Sequence, residues 1–254
     1  MDIPAYLQRI RYHGSLKPTW ETLQGLQLAH LCSVPFENLD ISLGRPILLD
    51  EQRIFHKLVS RKRGGFCYEL NGLFAALLTA LGFRVAYLSA GVAKDDGAYG
   101  PEFDHLVLLV ESPTDRSTAW LADVGFGDGF RQPLLAHTTA EQSQDGRTYW
   151  LEPQGEYRRL WQRDAAGSLE RQYRCTFQPW RFQDFAATCR YHQTSPESSF
   201  TRRRICTLAL PGGRLTLSAM RLVVTLDGKR TERPVRDGDE YSRLLRDLFG
   251  ITLD

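Results

Sequence analysis

A cysteine preceded by two glycines opens the most regular helical pattern in the chain. Cys67 follows Gly64-Gly65-Phe66, and apolar residues then recur at helical spacing as far as Leu81. Adjacent glycines let the backbone turn sharply and come close to a ligand. A thiol at a helix N-terminus faces the positive end of the helix dipole, which favours the thiolate, and the free N–H groups there can stabilise an oxyanion. The pattern predicts a nucleophile at Cys67, the alternative being a small core residue.

The remaining cysteines lack such a context. They are Cys32, Cys175, Cys189 and Cys206. An odd, widely spread set without a C-x-x-C pair argues against a disulfide framework and against a structural zinc site. The sequence therefore predicts no metal site and a reducing, cytoplasmic setting.

A nucleophilic cysteine usually works with a base, and the base with a third group that orients it. Among the six histidines, His105 begins the apolar run Leu106–Val110, so a rigid strand would aim its imidazole. Asp123 follows the apolar segment Ala119–Ala122, and its carboxylate could hold that imidazole from a neighbouring strand. Spacing alone leaves His105 open as a core or edge residue and Asp123 as a turn or capping residue. The other histidines lie in polar, helical or loop contexts and are His13, His30, His56, His137 and His192.

Three kinds of pattern follow one another along the chain. Residues 1–83 have helical periodicity, which predicts a helical bundle that carries the cysteine. Residues 84–192 begin with strand-like runs between Gly, Pro, Asp and Ser clusters, which predicts an antiparallel sheet or barrel that carries the histidine and the aspartate. Residues 193–254 mix strands with a last helix. This order predicts an α+β chain and not a doubly wound parallel sheet.

The elements that would position the site can be placed more closely. The predicted helices cover about 67–81, 184–191 and 239–248, and the predicted strands about 84–92, 104–111, 118–124, 206–210 and 214–226.

The composition is that of a globular protein without a strong overall charge. Of the 254 residues, 42% are hydrophobic, and 32 basic side chains stand against 30 acidic ones. This balance gives no general field that would attract a nucleic acid or an anionic membrane surface, so neither is expected as a partner. The first residues lack the order of a secretory signal, and the most apolar run is too short to span a bilayer. We expect a soluble, uncleaved chain.

Five motifs resemble those of the arylamine N-acetyltransferases and occur in the order found in that family. They are Val34-Pro35-Phe36-Glu37-Asn38-Leu39, Arg63-Gly64-Gly65-Phe66-Cys67-Tyr68-Glu69, His105-Leu106-Val107-Leu108, Asp123-Val124-Gly125-Phe126-Gly127 and Thr194-Ser195-Pro196-Glu197-Ser198-Ser199-Phe200. An ordered set of this extent is hard to obtain by chance, and the resemblance covers essentially the whole chain. One departure is Pro101-Glu102, where some relatives carry Thr-Gly shortly before the histidine.

The resemblance implies a helical bundle, a β-barrel and an α/β lid around a catalytic core like that of the cysteine proteases. It implies that Cys67 is the nucleophile, His105 the base and Asp123 the orienting carboxylate. The residues that it places near the acceptor pocket, each equally typical of a core position, are Phe36, Val92, Phe126 and Phe200.

The resemblance further implies acetyl-coenzyme A as the acyl donor and an arylamine, hydrazine or N-hydroxyarylamine as the acceptor, in a ping-pong reaction through an acetyl-cysteine. Backbone N–H groups of Gly125, Gly127 and Gly129 could bind the coenzyme A pyrophosphate as an anion nest, although glycines after a strand are also typical of a plain turn.

Other functions share the same three catalytic residue types. The donor could be a larger acyl-coenzyme A or a carrier-protein thioester, which would make the chain an amide synthase. Water or a protein amine could take the acyl group, as in a papain-like hydrolase or a transglutaminase. A non-catalytic binding module with the same fold is a third alternative.

Overall fold

The first third of the chain is helical, as its periodicity predicts. The structure is a computed structural model that describes residues 1–113, 115 and 117–253. The helices of this part are α1 (Ile3–Ile10), α2 (Trp20–Ser33), α3 (Leu39–Ser42), α4 (Glu51–Phe55) and α5 (Cys67–Ala80). A π-helical turn over His56–Ser60 continues α4, and a short strand, β1 (Phe36–Glu37), separates α2 from α3.

Helix α5 forms the centre of the helical part. Its residues Cys67–Ala75 are all buried, because apolar side chains cover most of its circumference. Phe66 is the N-cap residue, and its backbone N–H donates to Glu69 Oε2 at 3.2 Å, which satisfies a free donor at the helix start. Gly82, in the left-handed region at φ +94°, follows the end of the helix.

The middle of the chain forms one antiparallel sheet that curls into a nearly closed barrel. Within the described residues its strands are β2 (Arg84–Val92), β3 (His105–Glu111), β4 (Ala119–Ala122), β5 (Leu134–Leu135), β6 (Gln142–Gln144), β7 (Arg147–Gln154), β8 (Tyr157–Arg163) and β9 (Leu169–Trp180). Their spatial order is β5-β4-β3-β2-β9-β8-β7-β6, so β5 and β6 are the two edges that face each other across the seam.

Two glutamine side chains bridge that seam. Gln142 exchanges two hydrogen bonds with the backbone of Leu135, at 2.7 and 3.2 Å. Gln144 accepts from the backbone N–H of Gln132 at 2.7 Å and donates to its carbonyl at 3.0 Å. Primary amides carry both a donor and an acceptor, so they can replace the backbone ladder where the strands no longer pair.

Strand β3 lies between two cores. Leu106 and Leu108 pack against the helical part, whereas Val107 packs inside the barrel. Side chains alternate between the faces of a strand, so a continuous apolar run is what a strand buried on both sides requires. By the same alternation His105 shares the barrel side with Val107.

The last part of the chain is a second antiparallel sheet with helices beside it. A 3₁₀ turn over Phe182–Phe185 leads into the helices and strands α6 (Ala186–Thr194), α7 (Ser199–Arg202), β10 (Ile205–Leu210), β11 (Gly213–Ser218), β12 (Arg221–Leu226), β13 (Lys229–Pro234) and α8 (Gly238–Phe249). The run predicted over 214–226 is thus a hairpin, which turns at Ala219 with φ +49°.

The second sheet also takes a strand from the first third of the chain. β1 pairs antiparallel with β10, with Phe36 opposite Thr207, so the sheet order is β1-β10-β11-β12-β13. The division at 1–83, 84–192 and 193–254 stays a prediction, and its final residue, Asp254, lies outside the described residues. None of the helices in the described part of the chain is both long and apolar enough to cross a membrane.

Candidate active site

His105 and Asp123 form a buried pair at the end of two adjacent strands. The register of β3 and β4 sets Leu109 opposite Leu121 and Leu108 opposite Ala122, which brings the residue after β4 toward the start of β3. His105 Nε2 lies 2.7 Å from Asp123 Oδ2, and both side chains are almost fully shielded from water. A carboxylate on one ring nitrogen fixes the orientation of the imidazole and leaves Nδ1 for a second partner.

Asn71, one turn after Cys67 on α5, ties this pair to the helix. Its Nδ2 donates to Asp123 Oδ1 at 2.8 Å and to the carbonyl of Leu106 at 2.6 Å. Its Oδ1 accepts from the backbone N–H of Val124 at 2.9 Å. The sequence analysis did not single out Asn71, because a lone amide in a helical pattern looks like any polar position.

Asp123 has further backbone partners. Its Oδ1 accepts from the N–H of Gly125 at 2.8 Å, and its own N–H donates to Gln27 Oε1 at 3.2 Å. Gln27 is fully buried on α2 and was not predicted either. Two donors on one carboxylate oxygen and an imidazole on the other fix the orientation of the Asp123 side chain.

Cys67 lies against the same segment. A Cβ atom at Gly125 would come within 2.7 Å of Cys67 Cα, so glycine is needed for this approach. Burial raises the pKa of the Cys67 thiol well above its ordinary value, and the nearby backbone N–H of Leu106 opposes that shift. The expectation that the helix N-terminus alone favours thiolate is therefore incomplete: a buried thiol needs an adjacent group that accepts its proton.

The imidazole of His105 is enclosed by two aromatic rings. Phe126 and Tyr173 each have ring centroids 5.3 Å from that of His105, and 5.3 Å from each other. Tyr173, on β9, is fully buried, and burial together with the neighbouring Asp123 raises the pKa of its hydroxyl well above the usual value. The strand pattern gave no signal that distinguished Tyr173 from other core residues.

Most of the predicted acceptor residues line one cavity. Phe36, Phe126 and Phe200 border a space of about 540 Å³, and the contact between Phe126 and His105 places this space beside the buried pair. Val92 is not among the described residues that line the cavity. It lies at the end of β2, and its N–H donates to Asp104 Oδ2 at 3.1 Å.

The cavity also carries positive charge. Arg203, Arg214 and Arg230 line it together with one carboxylate, Asp128. Asp128 Oδ1 lies 2.9 Å from Arg147 Nη1 and 2.9 Å from Arg214 Nε, a pair of contacts that joins the barrel to the second sheet. A second cavity of about 640 Å³ adjoins the first through Asp128 and Arg214. An anionic ligand would find several cations along this path.

The three predicted cofactor glycines differ in their surroundings. The N–H of Gly125 already donates to Asp123 and is not free for a phosphate. Gly127 has φ +88° and lies near Phe36, and Gly129 lies near Phe126. Binding of a pyrophosphate by these glycines stays a prediction.

Five charged side chains hold the loop that precedes Cys67. Arg63 Nη2 lies 2.7 Å from Glu37 Oε1 and 3.0 Å from Asp40 Oδ1, and Lys57 Nζ lies 2.8 Å from both Asp40 Oδ2 and Glu69 Oε1. Arg63 and Glu37 are almost fully buried. Because each buried charge has an opposite partner, the network fixes the chain between β1 and α5.

In the part of the chain that the structure describes, no group of three or more His, Cys, Asp or Glu side chains is arranged to hold a metal ion.

Comparisons with known proteins agree on one family. A family model described as N-acetyltransferase matches residues 19–254. The arylamine N-acetyltransferase / N-hydroxyarylamine O-acetyltransferase of Salmonella typhimurium is 34% identical over 97% of this chain and 88% of its own length. The structure of the Mycobacterium tuberculosis arylamine N-acetyltransferase is 33% identical, with a TM-score of 0.92 over 98% of this chain and 94% of that one. The Mycobacterium marinum enzyme in complex with CoA is 31% identical, with a TM-score of 0.90 over 98% and 93%.

Proposed function

This chain belongs to the arylamine N-acetyltransferase family, and we propose that Cys67, His105 and Asp123 carry out its acetyl transfer from acetyl-coenzyme A to an arylamine. The observation that supports this assignment best is the hydrogen-bonded series Asn71, Asp123 and His105, in which both outer residues bond to Asp123. It anchors a base and its orienting acid to the helix that begins with the nucleophile.

In the first step, Cys67 attacks the thioester carbonyl carbon of the donor. His105 Nδ1 accepts the thiol proton as the new sulfur–carbon bond forms, because Nε2 is held by Asp123. The bond from the carbonyl carbon to the coenzyme A sulfur then breaks, and that sulfur leaves as the thiol after taking the proton from His105. The product is an acetyl-Cys67 thioester, and one thioester has been exchanged for another.

In the second step, the amine nitrogen attacks the acetyl-Cys67 carbonyl. An arylamine is neutral at pH 7 because its lone pair is delocalised into the ring, so the nitrogen can attack without losing a proton first. His105 accepts the proton that the new amide sheds, the carbon–sulfur bond breaks and the Cys67 sulfur takes the proton back. Asp123 stabilises the imidazolium form of His105 in both steps.

The cavity beside the pair suits both substrates. Arg203, Arg214 and Arg230 supply cations for the phosphate groups of coenzyme A, and the donor thioester supplies the acetyl group. Phe36 and Phe126 supply apolar surface for an aromatic acceptor. An N-hydroxyarylamine or a hydrazine would occupy the same surface.

Initial-rate kinetics test the order of the steps. We expect parallel lines in double-reciprocal plots when acetyl-coenzyme A and an arylamine such as 4-methoxyaniline are varied together, because coenzyme A leaves before the amine reacts. Intersecting lines would mean that both substrates must be bound at once, and would refute the acetyl-Cys67 route.

The same assay separates the rival functions. Faster turnover with longer acyl-coenzyme A thioesters than with acetyl-coenzyme A would favour an amide synthase. Sustained release of coenzyme A without amine would favour a thiol hydrolase. We expect neither: without amine, release should stop after about one equivalent per protein chain.

We also propose that the protein works in the cytoplasm. The support is that its five cysteines are all free in the structure, a state that fits a reducing compartment.

A further inference from the structure

Asp104, the residue before His105, links several parts of the acceptor side of the site. Its Oδ2 accepts from the backbone N–H of Val92 at 3.1 Å, and its Oδ1 lies 3.2 Å from His192 Nε2 on α6. Its backbone carbonyl accepts from the hydroxyl of Tyr68, next to the nucleophile, at 3.1 Å. One residue thus contacts the end of β2, the helix α6 and the start of α5.

His192 extends this link to Phe200. The other ring nitrogen, Nδ1, lies 3.3 Å from Ser198 Oγ, which itself accepts from the backbone N–H of Phe200 at 3.2 Å. The hydroxyl of Ser198 can donate to Nδ1, which leaves Nε2 to carry the proton on the side of the Asp104 carboxylate. The ring of His192 also packs edge-on against that of Phe200, with centroids 5.3 Å apart.

The backbone around Asp104 is shaped to admit this carboxylate. A Cβ atom at Gly100 would lie 1.9 Å from Asp104 Oδ2, so a side chain at position 100 would displace it. Phe103 has φ +64°, an unfavourable value for an aromatic residue, and its N–H is held by Ser89 Oγ at 2.7 Å. Strained backbone persists only where surrounding contacts fix it, and such positions concentrate near functional sites.

His192 is enclosed rather than solvated. Its side chain is 8% exposed, and Nε2 has no other partner within the described residues, although its alignment with Asp104 is not that of a full hydrogen bond. The groups around the ring are Asp104, Ser198, Tyr68, Tyr191 and Phe200. A buried imidazole beside a carboxylate whose side chain is only 15% exposed is costly to leave unpaired, so the two side chains hold each other in place.

We propose that Asp104 and His192 are positioning residues for the acceptor. Together with Ser198 they hold Phe200, which lines the cavity, against the segment that carries His105 and the end of β2. Neither side chain reaches the reacting atoms. The inference rests on the proposed acetyl transfer, and it predicts that loss of the pair weakens capture of the aromatic amine while the attack of Cys67 on the donor is retained.

The test compares Asp104→Asn and His192→Gln with wild type in two separate half-reactions. Each protein is first acetylated by acetyl-coenzyme A, then freed of donor and mixed with increasing 4-methoxyaniline in a quenched-flow instrument. We expect the half-saturating amine concentration to rise about tenfold in both variants, while the acetylation rate changes by less than about twofold.

A matched control and a double variant check the route of the effect. His137→Gln replaces an exposed histidine on the barrel and should leave both half-reactions unchanged. Because the pair acts as a unit, Asp104→Asn/His192→Gln should be no worse than either single variant. Additive losses would contradict the coupling.

A second readout needs no acetyl donor. Iodoacetamide alkylates Cys67 directly, and the amine should protect the thiol at a concentration about tenfold higher in the variants than in wild type. This shift would support the inference even if wild type proved not to accept acetyl-coenzyme A. Unchanged protection and half-saturation in both variants, or equal slowing of both half-reactions with a lower melting temperature, would overturn it.

Discussion

At the scale of single residues, the proposed mechanism requires a base for the reactivity of the Cys67 thiol. Burial raises the pKa of the thiol, and the nearby backbone N–H of Leu106 acts in the opposite direction. In the proposed mechanism, transfer of the thiol proton to His105 offsets this penalty.

Alkylation against pH measures that dependence. His105→Gln removes the proton acceptor and leaves the effect of burial, so we expect the rate of Cys67 alkylation by iodoacetamide to rise only at higher pH than in wild type. The rate near neutral pH should fall by at least about tenfold. A pH profile that coincides with that of wild type would show that the thiolate forms without His105.

In the proposed mechanism, Asp123 acts on the base and not on the substrates. In Asp123→Asn an amide replaces the carboxylate that faces His105 Nε2 at 2.7 Å, so the imidazole loses the acceptor that fixes its tautomer. We expect kcat to fall by about 10⁴, with little change in the free energy of unfolding. Asp247→Asn, which changes an exposed carboxylate on α8, is the control. A decrease in kcat of less than tenfold in Asp123→Asn would contradict the orienting role of Asp123.

Single residues also show where sequence reasoning stops. A glycine pair and two strand ends made Cys67, His105 and Asp123 candidates, and only the family resemblance gave them their roles. Asn71 and Tyr173 complete the same arrangement, but a helical amide and a strand tyrosine carry no local mark, and only tertiary contacts reveal what they touch.

At the scale of elements, the charged network holds the start of α5. Arg63→Met would leave Glu37 buried at 0% exposure without its cation, so we expect the free energy of unfolding to fall by about 3–5 kcal/mol in urea titrations. The matched control is Arg163→Met, whose side chain is 38% exposed in its pair with Glu141 and should lose at most about 1 kcal/mol. Equal losses in both variants would mean that the buried network adds nothing.

The barrel seam gives a second prediction about elements. Gln144→Leu removes the amide that bonds the backbone of Gln132, so amide protons near 131–135 should exchange faster with deuterium by mass spectrometry. Gln154→Leu, at the exposed end of β7, should not change that segment. Unchanged protection in Gln144→Leu would mean that the edges are held by other contacts.

Element prediction succeeded where apolar side chains set the period. Helix α5 was predicted over 67–81 and ends at Ala80, and β2 coincides with the run 84–92. The short seam strands, β7 to β9 and β13 were not placed individually. All of β13 is exposed and all but its last residue are polar, so nothing alternates along it. Residues 214–226 were predicted as one strand, because the turn at Ala219 contains no glycine or proline.

At the scale of the whole molecule, the buried His30 sets part of the acid stability. Burial lowers its pKa from 6.5 to about 3. The unfolded chain therefore binds a proton at His30 below about pH 6.5, whereas the folded chain binds it only below about pH 3. The free energy of unfolding consequently falls as the pH falls through this window. At pH 5 the loss is about 2 kcal/mol relative to pH 8.

Urea unfolding between pH 5 and pH 8 tests this assignment. His30→Leu removes the titrating group and should flatten the profile, although it also removes the partner of the Tyr6 hydroxyl, which lies 2.8 Å from His30 Nδ1, and so lowers stability at pH 8. His13→Leu, at an exposed position, should keep the wild-type slope. A slope in His30→Leu as steep as that of wild type would contradict the assignment.

The arrangement of the whole chain was predictable in outline only. The order of helical, strand and mixed patterns gave the α+β class. Strand β1 pairs with β10 beside the cavity and so joins the first third of the chain to the last. This pairing depends on contacts between residues about 170 positions apart, which no local sequence pattern indicates.

The central claim is that Cys67 carries the acetyl group. Intact mass spectrometry of wild type, Cys67→Ala and Cys32→Ala after mixing with acetyl-coenzyme A tests it directly, Cys32 being the partly exposed thiol that serves as control. We predict one acetyl group on wild type and on Cys32→Ala, none on Cys67→Ala, and its complete discharge when 4-methoxyaniline is added. An acetyl group that persists on Cys67→Ala, or a wild type that stays unmodified while it turns over, would contradict the claim.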